Sequence, residues 1–314
     1  MTSHCDGGYL LVIFTLLPLP LIHAEAPQPV AKKTDGHDRR AAGPTRTSRL
    51  PITESIVAVQ HQGEQDGWQT AETANFRLLH QHARSLAEAV LRTAEDTRAI
   101  QMRKWFGQVG ANWQPKCPIY LYPSGEAYSA ATGAPIYSGG GHTDIQAEDG
   151  RVVRRSIHMH GSRTFLLNGV VPHEVTHAVL AGRLSGGHVP RWADEGMAIL
   201  AETQAHIERH IRYLPRWHAD NALFSMRTLL EMRDYPGPHT LGIFYAQSVS
   251  LVDFLTRQKG AECFIAFVRD GERDGYTASL RKHYGWSFAE LDRYWRRHTF
   301  YDKRRMVETA REDR

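Results

Sequence analysis

Residues 173–177 read His-Glu-Val-Thr-His, and residues 190–198 read Pro-Arg-Trp-Ala-Asp-Glu-Gly-Met-Ala. The apolar spacing around the first stretch predicts a helix over about residues 169–183. On a helix, positions i and i+4 share one face, so His173 and His177 can grip one ion. Glu174 sits one residue round. It is too displaced to complete a compact ligand set, yet close enough to reach a water beside the ion. The other positions include Val171, Val175, Val179 and Leu180, so this helix is expected to be buried. Pro172 falls in its first turn, where a missing N–H costs little. Gly182, Gly186 and Gly187 end it, and with Pro190 they let the chain reverse.

A second helix then opens at Pro190 and is read as running to about Gln204. A carboxylate on this returning helix supplies the expected third ligand, and Glu195 is the preferred one. Asp194 competes for the role. As its helical neighbour it points about 100° away, so only one of the pair should face the ion. Two His and one Glu leave a fourth zinc position open, the pattern of a catalytic rather than a structural site.

Strands are expected before this motif and helices after it. Phe76–His80 alternates like a strand, Arg84–Phe106 has helical spacing, and Cys117–Tyr122 is a second strand closed by Pro123-Ser124-Gly125. Residues 139–160 read as a hairpin, with Glu148-Asp149-Gly150 as its turn. Its second strand, Val152–His160, leads into the active helix and is expected to be the sheet edge that holds an extended substrate. Downstream, helices are predicted at Arg227–Arg233, Ile243–Gln258, Glu262–Val268, Tyr276–His283 and Phe288–Arg297. The fold class is therefore α+β: a small N-terminal mixed sheet with an edge hairpin, the active-site helix, and a helical C-terminal half.

HEVTH followed by RWADEGMA is similar to the gluzincin clan, whose pattern is HExxH and then a Glu-Gly in a second helix. Phe244–Leu255 (FYAQSVSLVDFL) resembles a helix of the bacterial peptidase MA-like family, and so does the closing stretch Tyr284–Trp295. The strand Phe76–His80 and the long helix after it agree, so the resemblance spans about residues 68–300. It implies a zincin-like fold and an exported zinc-dependent metallohydrolase, most simply a peptidase acting on a peptide or protein substrate. It also implies roles. His173, His177 and Glu195 would bind one Zn2+ per chain, Glu174 would be the general base, and Tyr245 is the candidate oxyanion donor. A core tyrosine is the competing reading of Tyr245. The competing reading of the whole is a catalytically silent binding or scaffold module at the cell surface.

The chain has 18 histidines, and only His173 and His177 have a spacing argument. His158 and His160 share a strand face and read as solvent-facing, with substrate contact as the alternative. His206 and His210 form another i, i+4 pair without a Glu at the second position, a poor second metal site. His142, after three glycines, reads as a mobile loop residue.

With 41% hydrophobic and 23% charged residues, the chain is neither wholly disordered nor a multi-span membrane protein. Tyr9–Ile22 is an apolar run shorter than the roughly 20 residues of a bilayer span, and small residues follow it. It reads as a signal peptide cleaved after Ala24, or as an uncleaved anchor; either exports the domain to the periplasm or beyond. Residues 25–55 read as a disordered linker, 56–300 as the metallopeptidase-like domain, and 301–314 as a basic tail. The pI near 9.0 reflects basic clusters at these two ends. They read as solvated ends, and no nucleic-acid motif accompanies them. Cleavage would leave Cys117 and Cys263, which could pair in an oxidising compartment.

Overall fold

The computed structural model describes residues 57–135, 140–184 and 189–302. The signal segment, the linker, all but the first two residues of the basic tail, and Gly139, Gly186 and Gly187 lie outside the described residues.

The N-terminal half is one six-stranded mixed sheet in the order β1-β2-β3-β4-β6-β5. Its strands are β1 (Gln60–Gln65), β2 (Trp68–Glu72), β3 (Phe76–His80), β4 (Cys117–Leu121), β5 (Gly141–Glu148) and β6 (Arg151–Met159). β3, β4 and β6 run parallel, and the other pairings are antiparallel. The long helix α1 (Arg84–Phe106) crosses over between β3 and β4, at the predicted bounds. The short α2 (Gly125–Thr132) follows β4, and Ser124 caps it by accepting from the Ala127 N–H. β1, β2 and α2 are additions to the expected pattern.

The predicted hairpin is present. Asp149 and Gly150 both take positive φ (48° and 73°), as a two-residue turn of the primed type requires. The edge assignment is corrected. β6 is paired on both sides, by β4 and by β5, and Ile157 and Met159 are buried in the core. The free edge on this side of the sheet belongs to β5.

The motif helix α4 (Val171–Ala181) starts earlier than its sequence suggests. A short turn α3 (Arg163–Phe165) and a π-helical turn, Leu166–Val170, run into it without a break. Pro172 therefore sits inside a continuous helical run. It cannot bond to the Asn168 carbonyl four residues back, and that carbonyl accepts from the Thr203 N–H at 3.0 Å instead. The proline thus ties the head of α4 to the segment that follows the second helix. α4 is buried along its whole length.

The second helix, α5 (Arg191–Ile199), stops well before Gln204. Its last turn tightens, with Glu202 N–H donating to the Ile199 carbonyl, and α6 (Gln204–Ile211) begins afresh. Then come α7 (Leu214–Ala219), α8 (Met226–Glu231), α9 (Pro238–Asp274), α10 (Tyr276–Tyr284) and α11 (Phe288–Arg296). The two helices predicted at Ile243–Gln258 and Glu262–Val268 are one element, α9, bent at Gly260, whose φ of 81° no helix accommodates.

Among the described residues two large apolar cores result, with a small third cluster of Tyr122, Tyr128 and Ala134 under α2. One lies between the sheet, α1 and α4; the other is built by α5 and α8–α11 around Trp192, Phe244, Phe264 and Trp295. α4 contributes to both, with Val175 and Val179 in the first and Leu180 in the second. Cys117 belongs to the first core and Cys263 packs at the rim of the second. Both are free thiols, and burial pushes Cys117 up to about 12, so it is an inert core residue. Among the described residues no helix is long and apolar enough to cross a membrane.

Candidate metal centre

α4 presents His173 and His177 on one face, ring centroids 4.7 Å apart and planes nearly perpendicular. α5 comes back past them and brings Glu195 into reach. Its Oε2 lies 3.3 Å from His173 Nε2 and 3.9 Å from His177 Nε2. A tetrahedral ion with bonds near 2.1 Å sets its ligand atoms about 3.4 Å apart. The three donor atoms all lie within 4.8 Å of one another, and all three residues are buried. α5 can come this close because residue 196 is glycine: a Cβ there would meet Val252 Cγ2 at 2.5 Å and the Ser248 carbonyl oxygen at 2.6 Å, both on α9.

Each of the three side chains is braced from behind. His173 Nδ1 lies 2.9 Å from Glu202 Oε1, and His177 Nδ1 lies 2.8 Å from Asp194 Oδ1. The Tyr235 hydroxyl donates to Glu195 Oε1. These contacts fix the rings so that Nε2 of each histidine and Oε2 of Glu195 face one another. His173 Nε2 and Glu195 Oε2 are buried with no hydrogen-bond partner among the described residues. Buried polar atoms are rarely left so, and the donor set fits a zinc-type cation. Asp194, weighed as a competing ligand, reaches the far nitrogen of His177 instead.

Glu174 lies against β5. The Thr143 hydroxyl is 2.8 Å from its Oε2 and 3.0 Å from its backbone carbonyl. Its Oε1 is buried without a hydrogen-bond partner among the described residues. Gly141 is the close neighbour on the same strand, where a Cβ would come within 3.1 Å of Glu174. Burial raises the Glu174 carboxyl above the ordinary range, against the pull of His173, His177 and Thr143.

Tyr245 is buried on α9, its ring beside Tyr235, Phe244 and His210. Burial, then the charges of Glu195 and Glu174, push its hydroxyl well above the usual tyrosine range, so it stays protonated. Tyr235 is held protonated in the same way.

His206 and His210 both turn toward Glu202. His206 Nδ1 is 3.1 Å from Oε2, and His210 Nε2 is 3.8 Å from Oε1. Burial alone would raise Glu202, but the bonds with His173 and His206 hold it at about 2. The pair thus supports an anion that braces His173. His142 is corrected: it is a buried β5 residue, 2.6 Å from the Tyr128 hydroxyl. His158 and His160 are not solvent-facing either. His158 stacks between Tyr120 and His142, and His160 packs on Tyr128, because α2 covers this side of the sheet.

Glu202, Tyr235 and Thr143 were not visible in the motif reading. Glu202 lies seven positions after Glu195, two helical turns on, which is a usable signal. Tyr235, in a loop, and Thr143, on a strand, carry none.

A model of the peptidase MA superfamily matches residues 103–301. The chain belongs to the peptidase MA superfamily. This assigns it a metallopeptidase-type fold, and the matched span contains His173, Glu174, His177 and Glu195. The matched span starts near the end of α1, after β1–β3. No curated protein matches the chain.

Proposed function

We propose that the protein is an exported zinc-dependent peptidase that hydrolyses peptide bonds. The observation that carries this reading is the convergence of His173, His177 and Glu195 on one buried point, each braced from behind, with Glu174 beside them. His173, His177 and Glu195 would hold the zinc, which when bound would supply the Lewis acidity that activates a water and polarises a carbonyl. The chain does the rest. Glu174 takes the proton of the attacking water and passes it to the leaving amine. Thr143 holds one of its oxygens, and burial raises its carboxyl above the ordinary range, which suits a base. Tyr245, a buried and protonated donor on α9, would stabilise the oxyanion. The free edge of β5 runs beside Glu174, and an extended substrate added there would bring its main chain past the site. Export rests on the apolar run Tyr9–Ile22 and the small residues after it.

The test is metal analysis paired with peptide-library cleavage. His177→Ala should lose one metal equivalent together with hydrolysis. Glu174→Gln should keep the metal and lose hydrolysis. Full activity in Glu174→Gln overturns the mechanism. Metal-loaded wild type that is inert on a broad library would make the protein a binding module.

A further inference from the structure

We propose that His142, Asp144 and His158 form a second, separate metal site for a zinc-type cation, on the face of the sheet opposite α4. Side chains alternate along β5. Thr143 points to α4 and touches Glu174, so His142 and Asp144 point the other way. His158 is the direct cross-strand partner of His142 on β6, so its side chain shares that face.

The donor atoms lie at ligand spacing. The two imidazoles stack, centroids 4.8 Å apart and planes within 4°; an ion lies in the plane of each ring that binds it, so one ring would turn as the ion enters. Both Nε2 atoms converge on one oxygen of Asp144, at 3.6 Å from His142 and 3.5 Å from His158. These separations are too long for ordinary N–H···O bonds of about 2.7–3.2 Å. They match the roughly 3.4 Å between ligands of a tetrahedral ion. Each Nδ1 is engaged by a phenol: Tyr128 at 2.6 Å from His142 and Tyr122 at 3.0 Å from His158. That is the bracing expected behind metal-binding histidines, leaving Nε2 for the ion. The other carboxylate oxygen, Asp144 Oδ1, is buried with no hydrogen-bond partner among the described residues. A carboxylate that gripped the ion with both oxygens would satisfy it.

Two nitrogens and a carboxylate suit Zn2+ and its substitute Co2+. The side chain of Asp144 is 31% exposed and that of His158 16%, so an ion can enter from solvent. The ion would staple β5 to β6. β5 also carries Thr143 and Gly141, the residues against Glu174, so the staple would hold the strand that positions the base.

The experiment loads the full-length chain with Zn2+, washes it with a weak chelator and counts bound metal. Wild type should hold about two equivalents, and Asp144→Asn and His177→Ala about one each. X-ray absorption of the ion left in His177→Ala should show imidazole and oxygen ligands, a readout that needs no change at the second site. Wild-type metal content in both Asp144→Asn and His142→Gln overturns the proposal. So does His177→Ala protein that holds no metal. The arms are independent: if His177→Ala keeps the wild-type content, the first site is misread while Asp144→Asn still tests the second.

Discussion

Two clusters of histidine and carboxylate flank the same strand, and they are built differently. On the α4 side, His173 and His177 are braced by the carboxylates Glu202 and Asp194. On the α2 side, His142 and His158 are braced by the phenols Tyr128 and Tyr122. An anionic partner makes an imidazole more basic and a better ligand than a neutral one does. The first cluster is fully buried between α4 and α5; the second lies on the sheet face that α2 covers, with Asp144 only half-buried. The contrast teaches that similar ligand atoms can be tuned to different affinities by what stands behind them.

The largest break in this comparison comes from Glu174, which has no counterpart in the second cluster. Glu174→Gln should lower kcat by about 10²–10⁴-fold while metal content stays at the wild-type value. Steady-state kinetics with metal analysis checks it. Loss of metal in this variant would make Glu174 a ligand and the two clusters more alike than they look. Tyr245→Phe comes next, because a lost oxyanion donor costs about 10²–10³-fold in kcat. KM should barely move. An unchanged kcat would return Tyr245 to the role of a core residue.

The bracing argument itself is sharpened by a pair of conservative changes. Asp194→Asn should weaken zinc at the first site by about 10–100-fold, read by competition with a chelating dye. Tyr122→Phe should weaken the second site by less, since it removes a neutral partner. If the two losses are equal, the charge of the brace is not what separates the sites.

Legibility followed the same division. The first cluster was readable because three of its residues sit at fixed helical offsets, i, i+1 and i+4, and Glu195 stands beside a glycine that a helix crossing requires. α1 was readable to the residue because its apolar positions keep one period throughout. The second cluster was hidden. His142 and Asp144 are on one strand and His158 on another, so only the register of β5 on β6 brings them together. The turn alone would set His142 against Ile157, but a bulge between Gln146 and Ala147 shifts the register by one, and the side facing α2 looked open because α2 itself went unnoticed. The edge strand was misassigned for a related reason: besides its hairpin partner β5, β6 pairs in parallel with β4, which lies before α2 in the chain. β1 and β2 were missed because β1 is polar and exposed, although the Asp66-Gly67 turn between them, with both φ positive, was a usable signal.

The smallest effect distinguishes the clusters by their supports. Gly196→Ala puts a methyl against Val252 and the Ser248 carbonyl of α9, and the backbone there cannot swing aside as a side chain would. Overpacking of this kind costs about 1–3 kcal/mol, visible as a lower denaturation midpoint with an unchanged slope. Because α5 must move off α9, Glu195 moves with it, and zinc at the first site should weaken. The second cluster stands on β5 and β6, which do not touch residue 196, so its affinity should hold. Equal weakening at both sites would mean that the sheet and the helical half respond as one body, and that the strand between the clusters transmits the strain.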